Sequence, residues 1–215
     1  MYRALLFDLD GTLAETDSLH LPTWVDALEP YGVDVDEEFY KERISGRSTG
    51  EIVRDLLPDL TDEEGRSIGD AKEASFRERA AELEPLPGLA DFIEHGRERG
   101  LKIALVTNAP EENVEAILPA LNLRDFFDVV VLADDLEAVK PDPAPYRAAL
   151  KKTGVPAEVA LAFEDSVSGI SSSVAAGIPT VGIASTQDPE KLLNAGAFMT
   201  AKDFTDPQLR ALIGA

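Results

Sequence analysis

The 215-residue chain is 44% hydrophobic and is therefore long and apolar enough to bury a substantial core. Its 41 acidic and 20 basic residues give a net charge of −21, which argues against nucleic acid and anionic membrane surfaces as partners because the long-range field repels both. The absence of cysteine excludes disulfides and thiolate zinc sites, and an anionic substrate can bind only where a metal ion or a few cations reverse the local potential.

The first predicted element is a buried strand within the stretch LLFDLDGTL, Leu5 to Leu13. The apolar run ends at Asp8, and Asp10 begins a Gly11-Thr12 break, so the strand brings two carboxylates to its C-terminal tip. Ligands of open α/β sheets bind at this edge. Taken alone, however, the pair is better explained as an ordinary Asp-Gly turn that ends a strand.

The segment after Leu13 has helical spacing and no clear strand. We expect Ser18 to cap a first helix that closes at Tyr31-Gly32. Further helices are predicted over Asp36 to Ile44, over Thr49 to Leu57, and from about Thr61 or Asp62 to Leu83. The proline cluster that begins at Pro85 marks a boundary. We therefore predict an all-helical unit of residues 14–84, inserted into a domain made of residues 1–13 and 85–215.

From Gly88 onward, helices and short apolar runs alternate, which is typical of βαβ units and a parallel sheet. The predicted strands are Lys102 to Thr107, Val129 to Leu132, Ala160 to Phe163, Thr180 to Ile183 and a weak one at Ala197 to Thr200. The predicted helices are Leu89 to Arg99, Glu111 to Leu121, Ala144 to Thr153, Ser166 to Ala176 and a short one at the C-terminus. The fold class is therefore α/β, a Rossmann-like parallel sheet with helices on both faces plus the helical insert.

Polar side chains follow the predicted strands at the points where these end. Asp8 and Asp10 follow the first strand, and Glu164 and Asp165 follow the one that ends in Phe163. Carboxylates at two strand tips suit a hard cation such as Mg²⁺, which prefers oxygen ligands.

The remaining tips carry groups that suit the oxygens of a phosphate. Thr107 and Asn108 supply a hydroxyl and an amide, and the loop after Leu132 supplies the ammonium of Lys140. Each of these, taken singly, is better explained as a helix cap or a surface turn. Their joint occurrence at successive strand tips indicates a phosphate site.

These motifs resemble the four-motif pattern of the haloacid dehalogenase superfamily of phosphohydrolases. The matching residues are DLDGT at Asp8 to Thr12, then Thr107-Asn108, Lys140, and Glu164-Asp165 followed by Ser166 and Gly169. The helical insert resembles the helical cap domain that this family carries just after its first motif. Over nearly its full length the chain is similar to small, broad-range sugar-phosphate phosphatases of the β-phosphoglucomutase-like branch.

The resemblance implies a mechanism for this catalytic core. Asp8 is expected to be the nucleophile that forms an aspartyl phosphate, and Asp10 the general acid and base. The metal ligands for Mg²⁺ would be Asp8, Asp165, the backbone carbonyl of Asp10, and Glu164 either directly or through water. Thr107 and Asn108 are expected to hold the phosphoryl group, and Lys140 to neutralise the charges beside it.

Specificity is expected to come from the cap, moving on hinges at Leu13 to Asp17 and Leu83 to Gly88. His20 lies beside the first hinge and is a candidate to reach the leaving group. Arg47 is the stronger substrate-binding candidate because a loop arginine can fork onto hydroxyls or a second phosphate. Lys72 is the weaker one, because a lysine on a charged helix is usually solvated. Trp24 is expected to belong to the cap core.

The leading hypothesis is a Mg²⁺-dependent phosphatase for small sugar or polyol phosphates. The alternative is a phosphomutase of the β-phosphoglucomutase type. Mutases of that branch carry an arginine where this chain has Thr49 and a second cap lysine near Glu78, so both positions favour hydrolysis, although Arg47 could take the place of the missing arginine. A third hypothesis, a non-catalytic binding protein, is disfavoured because such a protein has no physical reason to keep repelling carboxylates at one site.

We also expect a cytoplasmic monomer with a small phosphorylated metabolite as its partner. The N-terminal residues run directly into the first strand and lack the pattern of a signal peptide, and no apolar run is long enough to span a membrane. A monomer is expected because no exposed apolar helix face stands out. The physiological substrate does not follow from the sequence.

Overall fold

A computed structural model describes residues 1–132 and 135–214 of the chain. Its centre is a six-stranded sheet in which every pair of neighbouring strands is parallel, in the order β3-β2-β1-β4-β5-β6. The strands are β1 (Ala4–Phe7), β2 (Lys102–Thr107), β3 (Val129–Leu132), β4 (Ala160–Glu164), β5 (Thr180–Ile183) and β6 (Met199–Ala201). The predicted parallel sheet is therefore confirmed, and β1 lies at its centre.

Ten α-helices are described. They are α1 (Asp17–Leu28), α2 (Glu37–Arg43), α3 (Thr49–Leu56), α4 (Asp62–Arg79), α5 (Leu89–Glu98), α6 (Glu111–Ala120), α7 (Ala144–Thr153), α8 (Val167–Ala175), α9 (Pro189–Asn194) and α10 (Pro207–Ile213). None of the helices in the described ranges has the length and apolarity needed to cross a membrane.

Alternate side chains of β1 explain why both faces of the sheet are covered. Leu5 and Phe7 belong to a large apolar cluster that includes Phe92 of α5, whereas Leu6 belongs to a second cluster that includes Tyr146 of α7. Successive side chains of a strand point to opposite faces, so a strand that is apolar at every position is buried on both sides. The predicted arrangement with helices on both faces is confirmed.

The four helices α1 to α4 form a block with an apolar core of its own, built around Trp24 and Leu28. Helices α3 and α4 both begin with capping boxes, Ser48 with Glu51 and Thr61 with Glu64, which fix where these helices start. Trp24 is almost fully buried there, so the expectation that it belongs to this core is confirmed.

The two chain crossings between the sheet and this block run side by side. Ala14 pairs with Pro85 in an isolated bridge, and the Leu86 N–H donates to the Leu13 carbonyl at 2.8 Å. The predicted boundaries of the insert, residues 14–84, fall at this double crossing. The division into two domains stays a prediction.

Three predicted boundaries were wrong. The helix predicted to run to Leu83 ends at Arg79, where the chain tightens into a 3-10 turn over Ala80–Glu82. Helix α1 begins at Asp17 after Thr16, so Ser18 lies in its first turn, where the Ser18 N–H donates to the Glu15 carboxylate at 3.2 Å. The last strand begins at Met199, because Ala197 packs against Leu192 at the end of the preceding helix and does not join the ladder.

Candidate active site

A cavity of about 330 Å³ lies between the carboxyl ends of the central strands and the helical block. Nine of the ten predicted site residues line it: Asp8, Asp10, His20, Arg47, Lys72, Thr107, Asn108, Lys140 and Asp165. Glu164, the tenth, is fully buried behind them. The sheet therefore brings together side chains that are up to 157 positions apart, Asp8 and Asp165, as expected for a topology with β1 between β2 and β4.

The turn after β1 is shaped by Gly11. This residue has a φ of +70°, and a Cβ added there would lie 2.1 Å from the Asp165 carboxylate. Only glycine therefore lets the first motif approach the tip of β4 so closely. The Asp8 N–H donates to the Phe163 carbonyl at 3.1 Å, which places the Asp8 side chain at the same edge.

Lys140 is the cation at the centre of the site. Its Nζ donates to Asp8 Oδ1 at 2.5 Å, to Glu164 Oε1 at 2.6 Å and to the Val106 carbonyl at 2.8 Å. All three ammonium donors are thus used, and the lysine is nearly fully buried. Burial alone would lower the pKa of Lys140, but the two carboxylates raise it above its usual value, so the group stays charged.

Asp8, Glu164 and Asp165 form a buried group of carboxylates, with one oxygen from each within 4.8 Å of the others. Burial raises the pKa of Asp8 to about 7, with the charges of Glu164 and Asp10 adding to it and Lys140 opposing it. Burial and the charge of Asp8 also raise the pKa of Asp165. One ammonium does not offset three carboxylates, so the donor set fits a divalent, oxygen-preferring cation such as Mg²⁺.

Glu164 has little freedom to move within this group. Its Oε1 accepts from Tyr146 at 2.5 Å as well as from Lys140, and a Cβ at Gly169 would lie 1.8 Å from Oε2. The first turn of α8 therefore closes on Glu164, while the Ser166 hydroxyl caps the same helix by accepting from the Gly169 N–H at 3.0 Å. This packing holds Lys140 at a fixed distance from Asp8.

Thr107 and Asn108 take different positions at the tip of β2. The Thr107 hydroxyl accepts from the Ala109 N–H at 2.9 Å, so its own proton is available to a ligand. The Asn108 amide instead binds the Lys140 backbone at both ends, accepting from its N–H at 3.2 Å and donating to its carbonyl at 3.3 Å. Asn108 therefore anchors the Lys140 loop and keeps one free N–H of its amide.

Asp10 points toward the helical block and is not part of the carboxylate group. His20 Nε2 lies 3.4 Å from Asp10 Oδ1, and Lys72 Nζ lies 2.7 Å from His20 Nδ1. Because an ammonium can only donate, His20 Nδ1 accepts and its proton resides on Nε2, facing Asp10. Burial acts to raise the pKa of Asp10, but the hydrogen bond and charge of His20, together with Thr16 and the charge of Lys72, outweigh it and lower the pKa.

Lys72 is buried, so the expectation of a solvated lysine on a charged helix was wrong. It is 3% exposed and lies 5.1 Å from the centroid of the Trp24 ring and 3.0 Å from Glu73 Oε1. Burial lowers the pKa of Lys72, and the Glu73 carboxylate acts in the opposite direction. The charged sequence of α4 does not reveal that Lys72 is buried. Its burial results from tertiary packing, since the face of α4 that carries Lys72 packs on α1.

Glu73, which the sequence analysis did not single out, connects three helices. Its Oε1 accepts from the Thr49 hydroxyl at 2.5 Å and from Lys72, and its Oε2 accepts from Asn113 of α6 at 2.7 Å. Arg77 donates to the other end of the Asn113 amide at 3.1 Å. The one indication in the sequence was Asn113, a polar residue among the apolar positions of α6 that are buried. A buried amide needs hydrogen-bond partners, and Glu73 is one of them.

Arg47 lines the cavity from the turn between α2 and α3. Its guanidinium donates to the Arg43 carbonyl at 2.7 Å and to the Asp55 carboxylate at 3.0 Å. Arg47 therefore lines the cavity, as the sequence analysis predicted, but its guanidinium is paired with Asp55 of the same helical block.

Comparison with known proteins identifies the family. Residues 5–183 match the haloacid dehalogenase-like hydrolases. The chain belongs to this family. It is 32% identical to the phosphorylated carbohydrates phosphatase of Thermotoga maritima over 93% of its own length and 94% of that protein. The family and branch indicated by the sequence motifs are thus confirmed.

Solved structures agree with this assignment. The crystal structure of CbbY from Rhodobacter sphaeroides in complex with xylulose-(1,5)bisphosphate matches with a TM-score of 0.83 at 32% identity, over 96% of each chain. The structure of β-phosphoglucomutase from Clostridium difficile matches with a TM-score of 0.87 at 23% identity, over 99% of this chain and 96% of that one. The second likeness shows the shared fold.

Proposed function

We propose that this member of the haloacid dehalogenase-like hydrolases is a Mg²⁺-dependent phosphatase that hydrolyses small sugar or polyol phosphate monoesters through an aspartyl phosphate. The observation that carries the proposal is the placement of Asp8, with a buried lysine 2.5 Å away, on the floor of a cavity large enough for a small phosphate ester. The similarity to a phosphatase of phosphorylated carbohydrates supports the same activity.

The chemistry has two steps. In the first, a carboxylate oxygen of Asp8 attacks phosphorus, the bond to the ester oxygen breaks, and Asp10 gives its proton to that leaving oxygen. In the second, water attacks the aspartyl phosphate, Asp10 takes the proton of that water, and inorganic phosphate leaves with Asp8 restored. A phosphate bound beside Asp10 raises the pKa of Asp10 from its lowered value, because like charges favour protonation.

The residues that would hold Mg²⁺ are Asp8, Asp165 and the Asp10 carbonyl, with Glu164 behind them. When bound, Mg²⁺ supplies positive charge to the phosphoryl oxygens and to the carboxylates. Lys140 adds a fixed positive charge to the same place, so that a protein of charge −21 can accept an anion there.

Other residues of the cavity bind and orient the substrate. The Thr107 hydroxyl and the free N–H of Asn108 donate to the phosphoryl group, and His20 holds Asp10 in position. Helix α1 carries His20 and follows directly from the first hinge, so movement of the helical insert as a cap would bring His20 and Asp10 together or apart.

The test is release of inorganic phosphate from a panel of hexose, pentose and triose phosphates, measured as kcat/KM with and without Mg²⁺. We expect turnover only with the metal, and a loss on the order of 10⁴-fold or more in Asp8→Asn, because the nucleophile is removed. Conversion of glucose 1-phosphate into glucose 6-phosphate without phosphate release would show a mutase instead. Full turnover by Asp8→Asn would disprove the covalent route.

Two observations favour hydrolysis over the mutase alternative. Thr49 stands where the mutases have an arginine, and its hydroxyl binds Glu73, whereas Glu78 is exposed on the far side of α4. A mutase must hold both ends of a bisphosphate and therefore needs a second cationic site. The cytoplasmic location and the monomeric state expected from the sequence stay predictions.

A further inference from the structure

The wall of the cavity contributed by the helical insert has four charged residues besides His20. Asp17, Arg47, Lys72 and Glu73 line it, opposite Asp8 and Lys140. A leaving group attached to a phosphate at Asp8 faces this wall. The charge state of the wall therefore decides which leaving groups the cavity accepts.

Lys72 is linked to Asp10 through His20, and two of its three N–H donors are already used. It donates to Glu73 Oε1 at 3.0 Å and to His20 Nδ1 at 2.7 Å, and it is 3% exposed. Glu73 is 7% exposed and is held by Thr49 and Asn113 as well. Neither side chain can turn toward a ligand without breaking buried hydrogen bonds, which costs more than the loss of an exposed ion pair.

Arg47 is paired with Asp55 at 3.0 Å, but both side chains are partly exposed, so this ion pair is easier to break than the buried one. Asp17 accepts from the Tyr40 hydroxyl at 2.6 Å and has no cationic partner among the described residues. Among the described residues that line this wall, every lysine and arginine is thus paired with a carboxylate, and one carboxylate is left over. A second phosphate or a carboxylate on the substrate would have to displace Asp55 from Arg47 or Glu73 from Lys72.

We propose that Glu73 sets the substrate class of this enzyme: by pairing with Lys72 it restricts the cavity to phosphate monoesters with an uncharged, hydroxylated leaving group and excludes bisphosphates and carboxylated phosphates. The inference rests on the proposed phosphatase function and adds its charge selectivity. The cavity remains suited to hydroxyl groups, since Asp17 and Ser48 of the wall and the Asn108 amide at the tip of β2 lie around the same space.

The test uses pairs of substrates that differ only in one negative group. Fructose 1-phosphate is compared with fructose 1,6-bisphosphate, and glycerol 3-phosphate with 3-phosphoglycerate, each with saturating Mg²⁺. We expect kcat/KM of the wild type to favour the uncharged member of each pair by at least about tenfold, because a like charge in a closed site is unfavourable.

Glu73→Gln keeps the shape of the side chain and frees Lys72. We expect this variant to reduce the preference about tenfold or more, mainly by lowering KM for the charged member of each pair. Glu63→Gln is the matched control, because it removes one negative charge from the exposed first turn of the same helix and should leave the preference unchanged. In Glu73→Gln combined with Lys72→Met, the gain should disappear, since it depends on the freed ammonium.

The outcomes separate this inference from the activity itself. Phosphate release in the wild type with no preference, or with a preference for the bisphosphate, overturns the inference and leaves the phosphatase function intact. A normal wild-type preference that Glu73→Gln does not alter overturns the role of Glu73. No phosphate release from any of the four substrates, or from the wider panel, contradicts the proposed function and the inference with it.

Discussion

At the scale of single residues, the site depends on one buried cation. Lys140 is surrounded by Asp8, Glu164 and the Val106 carbonyl; Glu164 and Val106 are fully buried, and Asp8 is 8% exposed on the floor of the cavity. An ion pair in such a place is only weakly stabilising as a pair, yet removing one partner leaves the other charges buried and uncompensated. The same residue should therefore matter for stability and for activity.

Lys140→Met tests this directly by urea unfolding. We expect the free energy of unfolding to fall by about 3 kcal/mol or more at pH 8, where Asp8 and Glu164 lose their shared counter-charge. The loss should be smaller at pH 6, because without the lysine the pKa of Asp8 rises further above 7 and protonation relieves the repulsion. Lys151→Met, an exposed lysine on α7, is the control. Equal losses at both pH values would contradict this account.

Some residues of the site could be predicted from the sequence and others could not. Asp8, Asp10, Thr107, Lys140 and Asp165 could be predicted because a parallel sheet brings strand tips to one edge, and each motif lies at a strand end or, for Lys140, in the loop after one. Glu73 could not be predicted, since its partners are 24 and 40 positions away on two other helices. No local pattern encodes where a helix packs.

At the scale of secondary-structure elements, contact between α4 and α6 joins the helical block to the sheet. Asn113 on α6 is 2% exposed, and Glu73 and Arg77 of α4 bind opposite ends of its amide. The amide donates to Glu73 through its nitrogen and accepts from Arg77 through its oxygen, so its orientation is held at both ends. This contact holds the block over the strand tips.

Asn113→Ala should loosen that contact. We expect the free energy of unfolding to fall by about 1–3 kcal/mol, because the buried Glu73 carboxylate loses a donor. Amide hydrogen exchange should rise in α4 more than in β1, and KM should rise more than kcat falls. Asn194→Ala, at the exposed end of α9, should change none of these quantities. Unchanged exchange in α4 would show that Asn113 does not hold the block in place.

Element boundaries illustrate a second limit of the sequence. The strands and helices of the sheet domain follow from alternating apolar runs, whose periods differ between strand and helix. Helix α1 nevertheless begins at Asp17 and not after Ser18, because Glu15 takes up the Ser18 N–H and makes a Ser18 cap unnecessary. When neighbouring polar residues can each cap a helix, the apolar pattern stays the same while the first residue of the helix changes.

At the scale of the whole molecule, the net charge of −21 would make a bound divalent cation important for stability as well as for chemistry. The group of Asp8, Glu164 and Asp165 concentrates negative charge in a buried place. In the metal-free protein the pKa of Asp8 is about 7, above its value in the unfolded chain. The protein therefore loses stability as the pH rises from the unfolded pKa to about 7, because Asp8 ionises less readily in the folded state.

Binding of Mg²⁺ should therefore stabilise the protein in a pH-dependent way. We expect saturating Mg²⁺ to raise Tm by roughly 5 °C at pH 8, which corresponds to about 2 kcal/mol for a chain of this size. The shift should be smaller at pH 5.5, because protons then occupy the carboxylates that the metal needs. Differential scanning fluorimetry measures both shifts.

Asp165→Asn should abolish most of this stabilisation, whereas Asp91→Asn, an exposed residue of α5, should retain it. An equal Tm shift at the two pH values, or a full shift in Asp165→Asn, would contradict the assignment of the metal site.

The proposed mechanism requires that Asp8 carries the phosphoryl group during turnover. Rapid acid quench of the wild type during hydrolysis of a substrate from the panel, followed by mass spectrometry of the peptide that contains Asp8, measures this directly. We expect one phosphoryl group on Asp8 in the wild type and none in Asp8→Asn, which should also be inactive. Steady phosphate release with Asp8 unmodified at every quench time, or turnover by Asp8→Asn, would contradict it.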